Sequence, residues 1–154
     1  MIQALLAAAL IVASNPVSSP EQQAGAVIDR MHAAASRADG AEYFSAYTAD
    51  ARFIGTDATE RWSLADFRAY AEPYFNQGRG WTYTVADRHL EILEQPCRCV
   101  AVFDEVLNNA SYGQVRGSGV LVKQGDEWKI QQYVLSFSVP NDKSGAVVDA
   151  IKAD

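Results

Sequence analysis

The chain has 154 residues, of which 49% are hydrophobic and 21% charged, a single-domain length and a composition that exclude a disordered or low-complexity chain. Thirteen Lys and Arg against nineteen Asp and Glu leave a formal charge of −6. That charge repels phosphate backbones, and with no basic patch along the chain no nucleic-acid partner is expected.

Met1 to Pro20 carries no charged side chain, and Ala4 to Ala13 is an unbroken apolar run. A bilayer span takes about 20 apolar residues, roughly twice this run. A signal-peptide core of about 7–15 residues followed by small residues fits better, with Ala13 and Ser14 in that place, although the basic start is missing. The expectation is a signal peptide over residues 1–18, cleaved near Ala13 or Ser14, then one domain over 19–154. The protein is then exported, to the periplasm, with no stable membrane insertion of the mature chain. A short buried or frayed helix is the alternative.

Ser19-Pro20-Glu21-Gln22 reads as a helix start, with Ser19 at the N-cap and Gln22 closing a capping box. Val27, Ile28, Met31, Ala34, Ala35 and Ala38 share one helical face, and Asp39-Gly40 supplies the stop. His32 lies off that face and is expected in solvent. A short helix follows over Ala41 to Tyr47, then a strand over Ala51 to Asp57. Ser63 caps the next helix, with Trp62 and Phe67 placed as a hydrophobic staple and Pro73 as a kink or stop.

Beyond Gly78-Arg79-Gly80 the pattern turns to strands: Trp81 to Val85, His89 to Leu93, Cys99 to Leu107, Ser111 to Lys123 and Trp128 to Val139. Gln124 to Glu127 forms the last hairpin turn. Asn141-Asp142 starts a final amphipathic helix carrying Val147, Val148 and Ile151. Helices first and antiparallel strands after make the class α+β.

Cys97 and Cys99 are the only cysteines. In a strand their Cα atoms lie about 6.6–6.8 Å apart, at the edge of disulfide reach. Two free thiols are therefore expected, with a C-x-C bridge as the alternative in an oxidising compartment. The pair alone makes no zinc site, so neither a metal nor a cofactor is expected. Nucleophile-elbow, dinucleotide, Walker and His-Glu-x-x-His patterns are all missing.

Phe53-Ile54-Gly55-Thr56-Asp57, Glu60-Arg61-Trp62 and Tyr70 to Phe75 resemble the SnoaL-like branch of the nuclear transport factor 2-like superfamily. So do Trp81-Thr82-Tyr83, Phe103-Asp104-Glu105, Tyr112 to Leu121 and Trp128 to Phe137 running into Pro140-Asn141-Asp142. The resemblance covers nearly all of Glu21 to Asp142. It implies a cone-shaped fold, a curved antiparallel sheet with helices on its concave face and a pocket at the open end. It also implies a choice among isomerase, dehydratase, cyclase and epoxide-hydrolase chemistry, non-catalytic binding and dimerisation, because a shared fold does not transfer chemistry.

Strand alternation puts Cys99, Ala101, Phe103, Glu105 and Leu107 on one face, and a carboxylate among apolar neighbours needs a partner. Arg116 on the next strand is the expected partner. The pair either holds a polar ligand group in the cone or sets strand register. Asp57 is a candidate acid or base at the pocket mouth, or a turn-capping Asp. His89 is a candidate partner for Asp57 or Glu105, or a structural histidine. Trp62, Tyr70, Trp81, Phe103, Tyr133 and Phe137 are candidate pocket walls, with core packing as the alternative.

Three functions remain open. One is a pocket protein binding a small, partly apolar molecule. Another is an acid–base enzyme of isomerase, dehydratase or cyclase type using Asp57, His89 or Glu105, with Tyr133 as donor. The last is an interaction module forming a homodimer through the outer face of the sheet.

Overall fold

The computed structural model describes residues 18–153, so the expected signal peptide lies outside the described residues apart from Ser18. Helix α1 (Pro20–Ser36) opens with the capping box: Gln22 N donates to Ser19 Oγ at 3.2 Å, and Ser19 N donates to Gln22 Oε1 at 2.8 Å. Such a cap contributes about 1 kcal/mol. The helix stops at Ser36, two residues earlier than Asp39-Gly40 suggests. Ala38 takes a left-handed φ of 56°, and Asp39 instead caps α2 (Gly40–Ser45) by accepting from Glu42 N at 2.9 Å.

Strand β1 (Tyr47–Ile54) begins where the second helix was expected to end, because Tyr47 enters the sheet rather than the helix. Strand β2 (Arg61–Ser63) returns along it and leads into α3 (Leu64–Phe75). There the Trp62 and Phe67 rings meet edge-on at 6.2 Å, as the staple requires. Pro73 lies within the last turn of α3, which runs two residues further to Phe75.

The two short strands expected between Trp81 and Leu93 are one continuous strand, β3 (Thr84–Ile92), with an irregularity between Val85 and Asp87. Strands β4 (Val100–Asn109), β5 (Gly113–Gln124) and β6 (Glu127–Phe137) follow as antiparallel neighbours. The sheet order is β2-β1-β6-β5-β4-β3. One pair departs from the antiparallel expectation: β1 runs parallel to β6, which four strands and one helix separate from it along the chain, so no direct hairpin joins the two.

This curved, open sheet holds α1 to α3 on its concave side. The core joins Ile28, Met31, Phe44, Phe67 and Phe75 of the helices to Phe103, Leu107, Leu121 and Ile130 of the strands. A 3-10 turn and α4 (Ser144–Ile151) close the chain, with Val147, Val148 and Ile151 exposed. Among the described residues no helix is long and apolar enough to cross a membrane.

Cys97 and Cys99 form a disulfide, not two free thiols. The strand spacing does not apply to them, since β3 ends at Ile92 and β4 starts at Val100. The chain turns between, with Arg98 at a φ of 43°, and brings the two Cα atoms to 5.1 Å.

Candidate functional site

β4 alternates as expected: Ala101, Phe103, Glu105 and Leu107 are buried on the concave face. Glu105 is fully buried, at 0% exposure, and three side chains from three elements surround its carboxylate. His32 Nε2 of α1 lies 2.8 Å from Oε1, Tyr133 of β6 donates its hydroxyl to Oε1 at 2.9 Å, and Arg88 Nε of β3 donates to Oε2 at 2.8 Å. Arg88 also reaches Asp29 Oδ1 on α1 at 2.7 Å, which ties strand, helix and carboxylate together.

Register explains who meets whom. Arg88 stands directly opposite Glu105 on β3, and Gly117 stands opposite it on β5. A Cβ at Gly117 would run into the Tyr133 hydroxyl and the Glu105 carboxylate, so the missing side chain makes room for their bond. Arg116 faces the other way. It pairs with Val106, on the convex face, and donates to Asp104 Oδ1 at 2.8 Å. The expected Glu105–Arg116 pair is therefore corrected to Glu105–Arg88.

Burial pushes the Glu105 carboxyl up, but the hydrogen bond and charge of His32, then those of Arg88, outweigh it and hold the group below its ordinary value. An ionised carboxylate carries no proton, so His32 Nε2 must be the donor in their contact. Tyr133 moves the opposite way. Burial first, then the Glu105 charge, push its phenol well above the ordinary range, so it keeps its proton and donates.

A cavity of about 310 Å³ opens over this network, at the small end for ligand pockets. His32 and Tyr133 line it together with Tyr43, Phe53, Trp62, Phe67, Tyr70, Trp81 and Tyr83, while Glu60, Tyr74, Arg79 and Tyr112 add polar and aromatic groups. Phe53 and Phe67 stack at 3.9 Å, and Phe75 lies 4.6 Å from Trp81 behind the wall. Tyr83 lies beside His32, with ring centroids 6.3 Å apart, and burial pushes its phenol up to about 12.

The expected site residues divide. Trp62, Tyr70, Trp81 and Tyr133 line the cavity. Phe103 is buried behind it, 5.9 Å from the Tyr133 ring. Phe137 is exposed and packs edge-on against Tyr112 at 5.3 Å, because β6 outruns the helices that cover its earlier residues. Asp57 sits in the exposed turn before β2, where its Oδ1 accepts from Thr59 N at 2.8 Å and from the Thr59 hydroxyl at 2.6 Å. Those bonds hold its carboxyl below the ordinary value, the behaviour of a turn residue rather than a raised acid. His89 faces outward and reaches Asp87 at 3.1 Å, since Leu90 and Ile92 take the inner positions of its strand.

His32, Arg88 and Tyr83 are the site residues that sequence reasoning missed, and His32 is buried rather than in solvent. The signals were present. His32 follows Ile28 by one helical turn, and Arg88 alternates in step with Leu90 and Ile92.

A family profile described as "SnoaL-like domain" matches residues 25–140. No functionally curated protein matches the chain. Among solved structures it is similar to a nuclear transport factor 2-like protein of unknown function from Pseudomonas putida KT2440, at a TM-score of 0.64 and 12% identity over 80% of this chain and 89% of that one. It is similar to a provisionally assigned dehydratase of the same family from Streptomyces avermitilis, at 0.64 and 14% over 78% and 96% of the two chains. A provisionally assigned ketosteroid isomerase from Shewanella frigidimarina matches at 0.59 and 20% over 74% and 94%. At these identities the likeness shows the fold.

Proposed function

The chain belongs to the SnoaL-like domain family, and from that premise we propose that it binds a small, partly aromatic molecule in the cavity and moves a proton on it through His32. One observation carries this reading: a cavity-lining histidine has one ring nitrogen held by a fully buried, ionised carboxylate. The charge that helps hold Glu105 low is that of the protonated ring, the conjugate acid of this base; once Nδ1 gives up its proton, Nε2 keeps its own with Glu105 as acceptor and Nδ1 has a lone pair. Nδ1 makes no hydrogen bond to any described residue. It is free to take a proton from a bound ligand, and the imidazolium that results is stabilised by the carboxylate behind it.

Tyr83 supplies the complementary function. Its phenol stays protonated, lines the cavity beside His32, and can donate to an oxygen on which negative charge develops. Proton abstraction next to a carbonyl, as in an isomerase or dehydratase, is the reaction class these groups serve. Glu105, Arg88 and Tyr133 are positioning residues.

The test is hydrogen exchange on a bound ligand. A panel of small aromatic carbonyl compounds is screened for thermal stabilisation, and those that bind are incubated with the protein in D2O. Deuterium entering the ligand with the natural chain but not with His32→Gln supports the reading. Binding without exchange leaves the simpler pocket protein, and equal exchange by His32→Gln removes the histidine from the chemistry.

Two further parts of the proposal rest on separate features. The convex face presents half-buried Val100, Val102, Val106, Val120, Val122 and Val134, which supports a homodimer through the sheet; sedimentation showing only monomer at high concentration counts against it. The charge-free start with its apolar run supports export to the periplasm, tested by the N-terminal sequence of the protein recovered from that compartment.

A further inference from the structure

The Cys97–Cys99 pair lies in the connection between β3 and β4, at the opposite end of β4 from the cavity-lining Tyr112 and about 30 Å from it at the usual strand rise. We propose that this disulfide is a second functional site, a redox couple that exchanges with the dithiols of other molecules.

Two features of the loop point to exchange rather than bracing. The bridge spans a sequence separation of only 2, so it closes almost no chain, and the stabilisation a disulfide draws from loop closure shrinks with the loop. A bond with so little structural duty can open without loosening the fold. Cys97 is exposed, which gives an attacking thiolate access to its sulfur.

The backbone around the pair is fixed independently of the sulfurs. Leu93 N donates to Val100 O at 2.9 Å, Arg98 N to Gln95 O at 2.9 Å, and Lys123 N to Cys99 O at 2.8 Å. After reduction the two thiols stay neighbours, so the ring recloses readily and the couple is reversible.

A thiolate of the dithiol partner attacks Cys97 Sγ, the bond between the two cysteines breaks, and Cys99 leaves as a thiolate. The partner's second thiolate then attacks the partner's own sulfur in the mixed disulfide, and Cys97 leaves. Two electrons have passed from the partner to the pair. The partner is oxidised to a disulfide, and the two protons released by its thiols are taken up by Cys97 and Cys99. The reverse sequence reduces a partner's disulfide.

The full chain tests this in two arms. In the first, the natural protein is equilibrated with millimolar reduced glutathione and a tenth as much oxidised glutathione, and free thiols are trapped by alkylation and counted by mass. More than half the molecules are expected to open by two thiols together with an unchanged circular-dichroism spectrum. A pair that stays closed under those conditions is too weak an oxidant to take electrons readily from the dithiols of other molecules, and overturns the proposal. In the second arm, the oxidised chain is added to a reduced, unfolded protein that needs disulfides to refold. Several-fold faster disulfide formation is expected, and none of that acceleration from a folded Cys97→Ser/Cys99→Ser variant. Equal rates with and without the cysteines overturn the proposal as well. The first arm needs no variant, so it decides the question even where the variant does not fold.

Discussion

Two carboxylates stand side by side on β4 and meet opposite fates. Asp104 faces out from the convex side and shares one contact with Arg116, each side chain about half exposed. Glu105 faces in, at 0% exposure, and is held by His32, Arg88 and Tyr133. A strand turns successive side chains to opposite faces, so one position in the sequence separates a solvated ion pair from a buried one. Water screens the first pair, while the second has lost its hydration and depends wholly on its three donors. Only the buried carboxylate can fix a histidine against a cavity, because only there does the surrounding protein leave no alternative geometry.

The comparison breaks most visibly if the buried group is removed. Glu105→Ala leaves Arg88 and His32 without their shared carboxylate, and urea unfolding is expected to show a loss of about 3–5 kcal/mol. Asp29 still holds one arm of Arg88, which places the result toward the lower end. Removing one donor is milder. Tyr133→Phe deletes a hydrogen bond to a charged acceptor and is expected to cost about 1.5–3 kcal/mol. Gly117→Ala drives a methyl group into that same bond and is expected to cost about 1–3 kcal/mol, with ligand-induced stabilisation reduced alongside it.

Acid sharpens the contrast. The Glu105 carboxyl is held below its ordinary value of 4.5, so its stabilising contribution is complete above that pH and is lost as pH falls through the lower folded value. Stability measured against pH is expected to fall on this acid limb, and Glu105→Gln is expected to flatten it. A limb that survives the substitution unchanged belongs to the exposed carboxylates at Glu21, Asp50 and Asp57, which are also held low. The smallest effect belongs to the outer face. Asp104→Ala is expected to change stability by no more than about 1 kcal/mol, and less at high salt.

Much of this was legible in the sequence. The period-two pattern of β4 placed Glu105 among apolar neighbours, and the capping box at Ser19 and the cap with its staple at Ser63 placed both long helices. Pairing was harder, because it depends on register across the sheet. Arg116 looked like the partner from its position on the next strand, yet register sets it opposite Val106 and turns it away. Arg88 was hidden in the gap between two supposed strands, and only the continuity of β3 brings it opposite Glu105. His32 was hidden by the width of the buried stripe on α1. A helix inside a curved sheet is covered on more than one side, so Ala24, Val27, Ile28, Met31, His32, Ala34 and Ala35 are all buried. Aromatic residues announced a pocket without stating which of them face it: Trp62 and Tyr133 do, and Phe137 does not.

The most direct test of the buried carboxylate's role is the ring nitrogen spectrum of His32, with His89, whose outward ring reaches only an exposed Asp87, as the internal reference. In 15N-labelled protein the neutral His32 ring is expected to carry its proton on Nε2, and Glu105→Gln is expected to shift the His32 ring signals while leaving those of His89 in place. A His32 ring protonated on Nδ1, or one that responds to Glu105→Gln no more than His89 does, would contradict the account.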